Sequence, residues 1–134
     1  MLRRLLAFLL VVWAPLNLSV SAAALLDSLA DRGWRAIVLL LVRLAVTGFG
    51  VAAGRALWSQ SRGAITLARW ATGLSLGVVL VVVTTSIWPT QLPPGTRGPV
   101  AIATVTWHAL WFLWTLRQHE PIEPRAQSPE PSAY

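Results

Sequence analysis

The chain alternates between long apolar runs and short polar breaks. Four runs stand out, at residues 5–26, 34–57, 64–88 and 99–116, each dominated by Leu, Val, Ala, Ile and Trp. A helix rises about 1.5 Å per residue, so roughly 20 residues cross a hydrocarbon core about 30 Å thick. All four runs have spanning length. A backbone in hydrocarbon must satisfy its own N–H and C=O groups, so each run is expected to be a helix. That holds even for the valine-rich segment 78–83, whose β-propensity would count in water.

The breaks set the topology. Residues 27–33 and 59–63 form short links, and residues 89–98 form a proline-rich loop with a turn expected at Pro94 and Gly95. Short links place successive helices side by side and antiparallel. The expected fold is therefore all-α: a four-transmembrane-helix, up-down-up-down bundle over residues 1–118. Residues 119–134 carry four prolines, three glutamates and few apolar side chains. They are expected to form a disordered, Pro-rich cytoplasmic tail.

Composition narrows the class. Of 134 residues, 55% are hydrophobic and only 12% charged, against about a quarter charged in an ordinary soluble domain. The net charge of +6 comes from arginine alone, because the chain has no lysine. In a soluble protein so basic a balance would suggest nucleic acid. Here the arginines stand singly at the ends of apolar runs, which is how topology signals are distributed. A nucleic-acid partner is not expected; a lipid bilayer is.

Arg3, Arg4, Arg55, Arg62, Arg69 and Arg117, with Arg125 in the tail, fall on one side; Arg32, Arg35 and Arg97 fall on the other. Positive charge accumulates on the cytoplasmic side, so both termini are expected in the cytoplasm of a bacterial inner membrane. Trp34 and Trp88 would then mark the outer interface, and Trp58 and Trp114 the inner one. A signal peptide is the rival for the first run, since Arg3 and Arg4 precede it and residues 20–22 (Val-Ser-Ala) or 22–24 (Ala-Ala-Ala) could be read as a cleavage site. Its length exceeds a signal h-region of about 7–15 residues, which favours a retained helix.

Within the spans, polar and small residues recur at helical spacing. Arg43, Thr47, Gly50 and Gly54 share a face of the second helix, and Thr104, His108, Trp111 and Thr115 share a face of the fourth. Thr66, Gly73, Gly77 and Thr84 line the third, beside Arg69, and Asn17 and Ser21 follow Pro15 on the first. The pairs Gly50/Gly54 and Gly73/Gly77 have the GxxxG spacing that lets membrane helices approach closely. Helix packing is expected at these four glycines.

Arg43 is the costliest of these residues. A guanidinium at mid-span costs about 2.5–3.5 kcal/mol on insertion scales and by default marks a functional position. Counted from the outer helix ends, Arg43, Asn17 and His108 all lie about 14 Å deep at 1.5 Å per residue. A polar cluster of Arg43, His108, Asn17, Thr47 and Thr104 is expected there, either as interhelical hydrogen bonding or as a ligand site. No carboxylate lies in any span to pair with Arg43.

The same inventory bears on catalysis. There is no cysteine, and the two histidines, His108 and His119, lie at different levels without co-ligands. No metal site, cofactor or catalytic constellation is expected, and the chain is read as a non-enzyme.

Residues 53–58 (Ala-Gly-Arg-Ala-Leu-Trp), 63–69 (Gly-Ala-Ile-Thr-Leu-Ala-Arg), Pro93-Pro94-Gly95 and the ending Trp114-Thr-Leu-Arg117 carry a resemblance. The layout resembles small uncharacterised four-helix integral membrane proteins of bacteria, which implies a membrane bundle and no known activity. Two functional classes follow from the residues. One is a structural or accessory subunit, associating with itself or a membrane partner through its small-residue faces. The other is a small membrane binder or carrier of an anionic or amphiphilic ligand, using the Arg43, His108 and Asn17 cluster. A cavity at that cluster would favour the second; a tight seam there would favour the first.

Overall fold

The structure is a computed structural model and describes residues 1–27, 29–85, 93 and 95–119. Among them, four helices are long and apolar enough to cross a membrane: α1 (Leu2–Asp27), α2 (Trp34–Trp58), α3 (Ala64–Thr84) and α4 (Arg97–Arg117). There is no strand among the described residues. The chain is an all-α four-helix bundle with the build of a multi-pass membrane protein.

α1 is continuous but not uniform. Its Leu9–Trp13 segment is π-helical, between α-helical Leu2–Phe8 and Ala14–Asp27. Pro15 supplies the reason: it has no N–H for the Val11 carbonyl, and its ring crowds that carbonyl. Widening the preceding turn relieves the clash without ending the helix. After Asp27 a single helical turn, Leu29–Arg32, occupies most of the first link.

The links use backbone that glycine permits. α2 starts after Gly33 at φ +55°, and α3 after Gly63 at φ +74°. Between α2 and α3 the chain closes in a Schellman motif. Ser61 N–H donates to the Ala56 carbonyl (3.1 Å) and Gln60 N–H to the Leu57 carbonyl (3.4 Å). Gln60 sits at the left-handed position with φ +53°, which usually falls to glycine.

α4 begins at Arg97, two residues earlier than the apolar pattern suggests. Pro99 is tolerated there because the first-turn N–H groups have no partner inside the helix. Ahead of it, Gly95 takes φ +90° and Thr96 N–H donates to the Pro93 carbonyl (3.2 Å), closing the predicted turn. Pro94, Trp88, the expected end of the third helix beyond 85 and the tail from 120 lie outside the described residues.

Packing follows sequence order: α1 lies on α2, α2 on α3, and α3 on α4. The four helices converge at the end that holds the start of α1 and the last turns of α4. Leu6 and Ala7 of α1, Leu57 of α2, and Ala64, Ile65 and Ala68 of α3 form a buried core there, with Trp111 and Trp114 of α4 against it. Trp58 is exposed, as an interfacial residue would be, but Trp114 turns inward onto this core. Its ring stands edge-on to Trp111, centroids 5.8 Å apart.

Close approach rests on glycine at some places and alanine at others. A Cβ on Gly54 would lie 2.8 Å from Val11 Cγ2 and 2.9 Å from Leu10 Cβ, so only glycine fits the α1–α2 contact. Gly50 is also buried against Leu10, and Gly73 faces Phe112 of α4. Gly77 departs from the expected packing role: nothing lies within 4 Å of its Cβ position. α3 meets its neighbours instead through buried Ala64, Ala68 and Ala71, whose methyl groups allow close contact without a glycine.

The α3–α4 seam is polar. Thr72 and Thr115 are buried with their hydroxyls 3.3 Å apart. Arg69 Nε donates to the Thr115 carbonyl (3.0 Å), and its Nη2 donates to the carbonyl of Gln118. The guanidinium thus adds donors to carbonyls at the C-terminal end of α4, one of which, Thr115, also accepts from Gln118 N–H (3.3 Å), and a cation there is favoured by the helix dipole.

Candidate functional site in the bundle cavity

Beyond the core, the helices leave space. A cavity of about 790 Å³ is lined by all four of them. α1 contributes Trp13, Asn17 and Ser21; α2 contributes Arg43 and Thr47; α4 contributes Thr104, Trp107 and His108. The α3 wall is Ser75, Val78, Val79, Val82 and Val83. Arg43, Asn17, His108, Thr47 and Thr104 therefore line one space, although they come from three helices.

Antiparallel succession explains the meeting. The α1–α2 contact pairs Gly54 with Ala7 and Leu10, and the α3–α4 seam pairs Gly73 with Phe112. Moving away from the core along each antiparallel pair brings residue 17 level with 43, and the late 70s level with 104–108. The π turn and Pro15 lie on α1 at the floor of this region.

The side chains of Arg43, Asn17, Thr47, Thr104 and His108 share the cavity without bonding one another. Ser21 Oγ donates to Asn17 Oδ1 (3.4 Å), and Thr104 Oγ1 donates to the Val100 carbonyl (2.8 Å). His108 Nδ1 lies 2.8 Å from the Thr104 carbonyl. A carbonyl only accepts, so Nδ1 carries a proton, and in the tautomer with one ring proton Nε2 is an acceptor.

Arg43 is half-buried, and no side chain or carbonyl among the described residues bonds to it. No carboxylate lines the cavity. In a wall otherwise built of valine, tryptophan and hydroxyls, the guanidinium presents five donors in a planar fork, and nothing among the described residues bonds to them.

A second, larger space lies outside the bundle. It is an apolar groove of about 1170 Å³ between α2 and α3, running from Trp34 and Arg35 to Arg69 and Trp70. Thr66, Gly73 and Gly77 line it. The small-residue stripe of α3 thus faces this groove and not the inner cavity, a placement that spacing alone does not reveal. Arg69 is at its edge but is held by the α4 carbonyls.

Sequence reasoning missed Trp13, Trp107, Ser75 and the valine wall. Trp107 carried a signal, since it precedes His108 on a helix whose Thr104–Thr115 stripe points inward. Trp13 carried none, because the π turn alters the face on which it falls.

Fold and site together define a class: a multi-pass α-helical membrane protein with a part-polar cavity inside its bundle. Compared with known protein families, with characterised proteins and with solved structures, the chain matches none.

Proposed function

We propose that the protein is a non-enzymatic membrane binder or carrier of an anionic or amphiphilic ligand, held in the four-helix cavity. The observation that carries this reading is Arg43, a cation with no bonded partner among the described residues, which lines a cavity of about 790 Å³. Charged groups inside a span are costly and face cavities or partners. Asn17, Thr47 and His108 supply neutral hydrogen-bonding groups beside it. The arginine distribution supports an inner-membrane orientation with both termini in the cytoplasm, which places Arg43 in the outer half of the bilayer.

Native mass spectrometry of gently solubilised protein tests the reading. Wild type should retain a bound anionic species, and Arg43→Gln should lose it. A protein that flies without adducts, or retains them equally after the substitution, sinks the proposal.

One observation favours a second reading as an accessory subunit. Gly77 lies in the outer groove with nothing among the described residues within 4 Å of its Cβ position, and Trp70 and Leu74 beside it are exposed. In that case Gly77→Leu should abolish co-purification of a membrane partner or of the dimer; unchanged assembly would remove this reading.

A further inference from the structure

A four-helix bundle has room for four lateral seams, and three carry packed helix pairs here: α1 on α2, α2 on α3 beneath the outer groove, and α3 on α4. No comparable α1–α4 seam exists among the described residues. At the end that holds the start of α1, Trp111 and Trp114 lie against the buried cluster that includes Leu6 and Ala7. Farther along, α1 presents Trp13 and Asn17, and α4 presents Trp107 and His108, to the same cavity. Trp13, Asn17 and Trp107 are all exposed there.

The level of this opening decides what it faces. Arg43 lies nine residues into α2 from Trp34, or about 14 Å at 1.5 Å per residue. A side opening at that depth meets lipid chains. The cavity thus holds a polar cluster in a mainly apolar lining, with a mouth in hydrocarbon, unlike a pocket for a soluble anion.

We infer that the occupant is a membrane lipid with an anionic headgroup, which enters sideways between α1 and α4. This rests on the reading of the cavity as an anion site. The headgroup oxygens accept from the Arg43 fork. The His108 Nε2, an acceptor in the tautomer whose one ring proton sits on Nδ1, takes a hydroxyl of the same headgroup. A headgroup with both an oxyanion and a hydroxyl, such as a phosphoglycerol or a singly protonated phosphate monoester, meets both requirements. The tail lies along the α3 valines and leaves between Trp13 and Trp107, whose rings suit the boundary between a polar site and lipid.

Trp fluorescence in vesicles tests this, because bromine on a lipid chain quenches only the indoles it touches. The full chain is placed in phosphatidylcholine vesicles with a minor fraction of brominated lipid, either phosphatidylglycerol or phosphatidylcholine. Brominated phosphatidylglycerol should quench more than its zwitterionic counterpart. That excess should vanish in Arg43→Gln, shrink in Trp13→Phe and in Trp107→Phe, and persist in Trp58→Phe. Millimolar inorganic phosphate should leave it intact. An excess displaced by inorganic phosphate would assign the site to a soluble anion and overturn the lipid route, while sparing the anion site itself. So would equal quenching by both lipids alongside an Arg43-dependent adduct in the mass spectrum. An excess that survives Trp13→Phe combined with Trp107→Phe places the lipid elsewhere and also overturns the route. Loss of all dependence on Arg43 would overturn both proposals.

Discussion

Gly54 approaches Ala7 so closely that a methyl group added to it would lie 3.0 Å from the Ala7 carbonyl oxygen. Backbone cannot swing aside as a flexible side chain can. Gly54→Ala should therefore force α1 away from α2 and destabilise the bundle by roughly 1–3 kcal/mol, the usual range for overpacking. Gly77→Ala, with open space around it, should be neutral or stabilise by up to about 1 kcal/mol through helix propensity. Reversible unfolding of both variants in mixed micelles checks the contrast; equal shifts would mean the two GxxxG pairs are equivalent after all.

Arg69 ties α4 to the bundle through the carbonyls of Thr115 and Gln118. α4 is the least buried of the four helices, with 6% of its most apolar window buried against 22% for α3. It therefore depends on few contacts. Arg69→Ala should cost about 1.5–3 kcal/mol, the range for hydrogen bonds to a charged group. Arg69→Lys should recover only part, because an ammonium cannot present the planar fork. Protease sensitivity at the C-terminal end of α4 should rise in the same order.

Gln60 holds a left-handed conformation at φ +53° in the Schellman turn after α2. Removing its Cβ relieves a strain of about 1–2 kcal/mol, offset in part by glycine's greater freedom in the unfolded chain. Gln60→Gly should raise the midpoint of thermal unfolding in detergent, and Gln60→Val should lower it. A lower midpoint for the glycine variant would mean that Gln60 makes a contact more valuable than its strain.

Arg43 poses stability against function. In the empty cavity its guanidinium is uncompensated, so Arg43→Leu should stabilise ligand-free protein, by up to the roughly 2.5–3.5 kcal/mol that insertion scales assign to such a charge. The same change should abolish the gain in stability that anionic lipid confers on wild type. His108→Leu should reduce that gain, and the two substitutions together should do no more than Arg43→Leu alone, since both act through one ligand. Additive losses would separate the two residues.

The four spans were legible because hydrocarbon leaves the backbone few choices: length and apolar run fix helix, and short links fix antiparallel order. The meeting of Arg43, Asn17 and His108 in one cavity was legible too, from helical spacing and equal depth. The role of each glycine was not. Gly50/Gly54 and Gly73/Gly77 look identical in sequence, yet Gly54 is enclosed by α1 and Gly77 is bare, because spacing defines a face and not its neighbour. Trp114 reads as an interfacial anchor by position along the chain, but rotation about the helix turns it onto Leu6 and Ala7's cluster. The π turn at Leu9–Trp13 was implied only by Pro15, and proline alone does not say whether a helix kinks, widens or stops.

The succession of seams bears on how the protein is made. Each helix rests on the one synthesised just before it, so every new span meets its partner already in the bilayer, and none has to wait for a distant segment. Contacts of this local kind favour fast assembly. α4 arrives last and brings Thr104, Trp107 and His108 with it. Until then Arg43 faces a half-built wall, so the cavity takes shape only once α4 joins the other three helices.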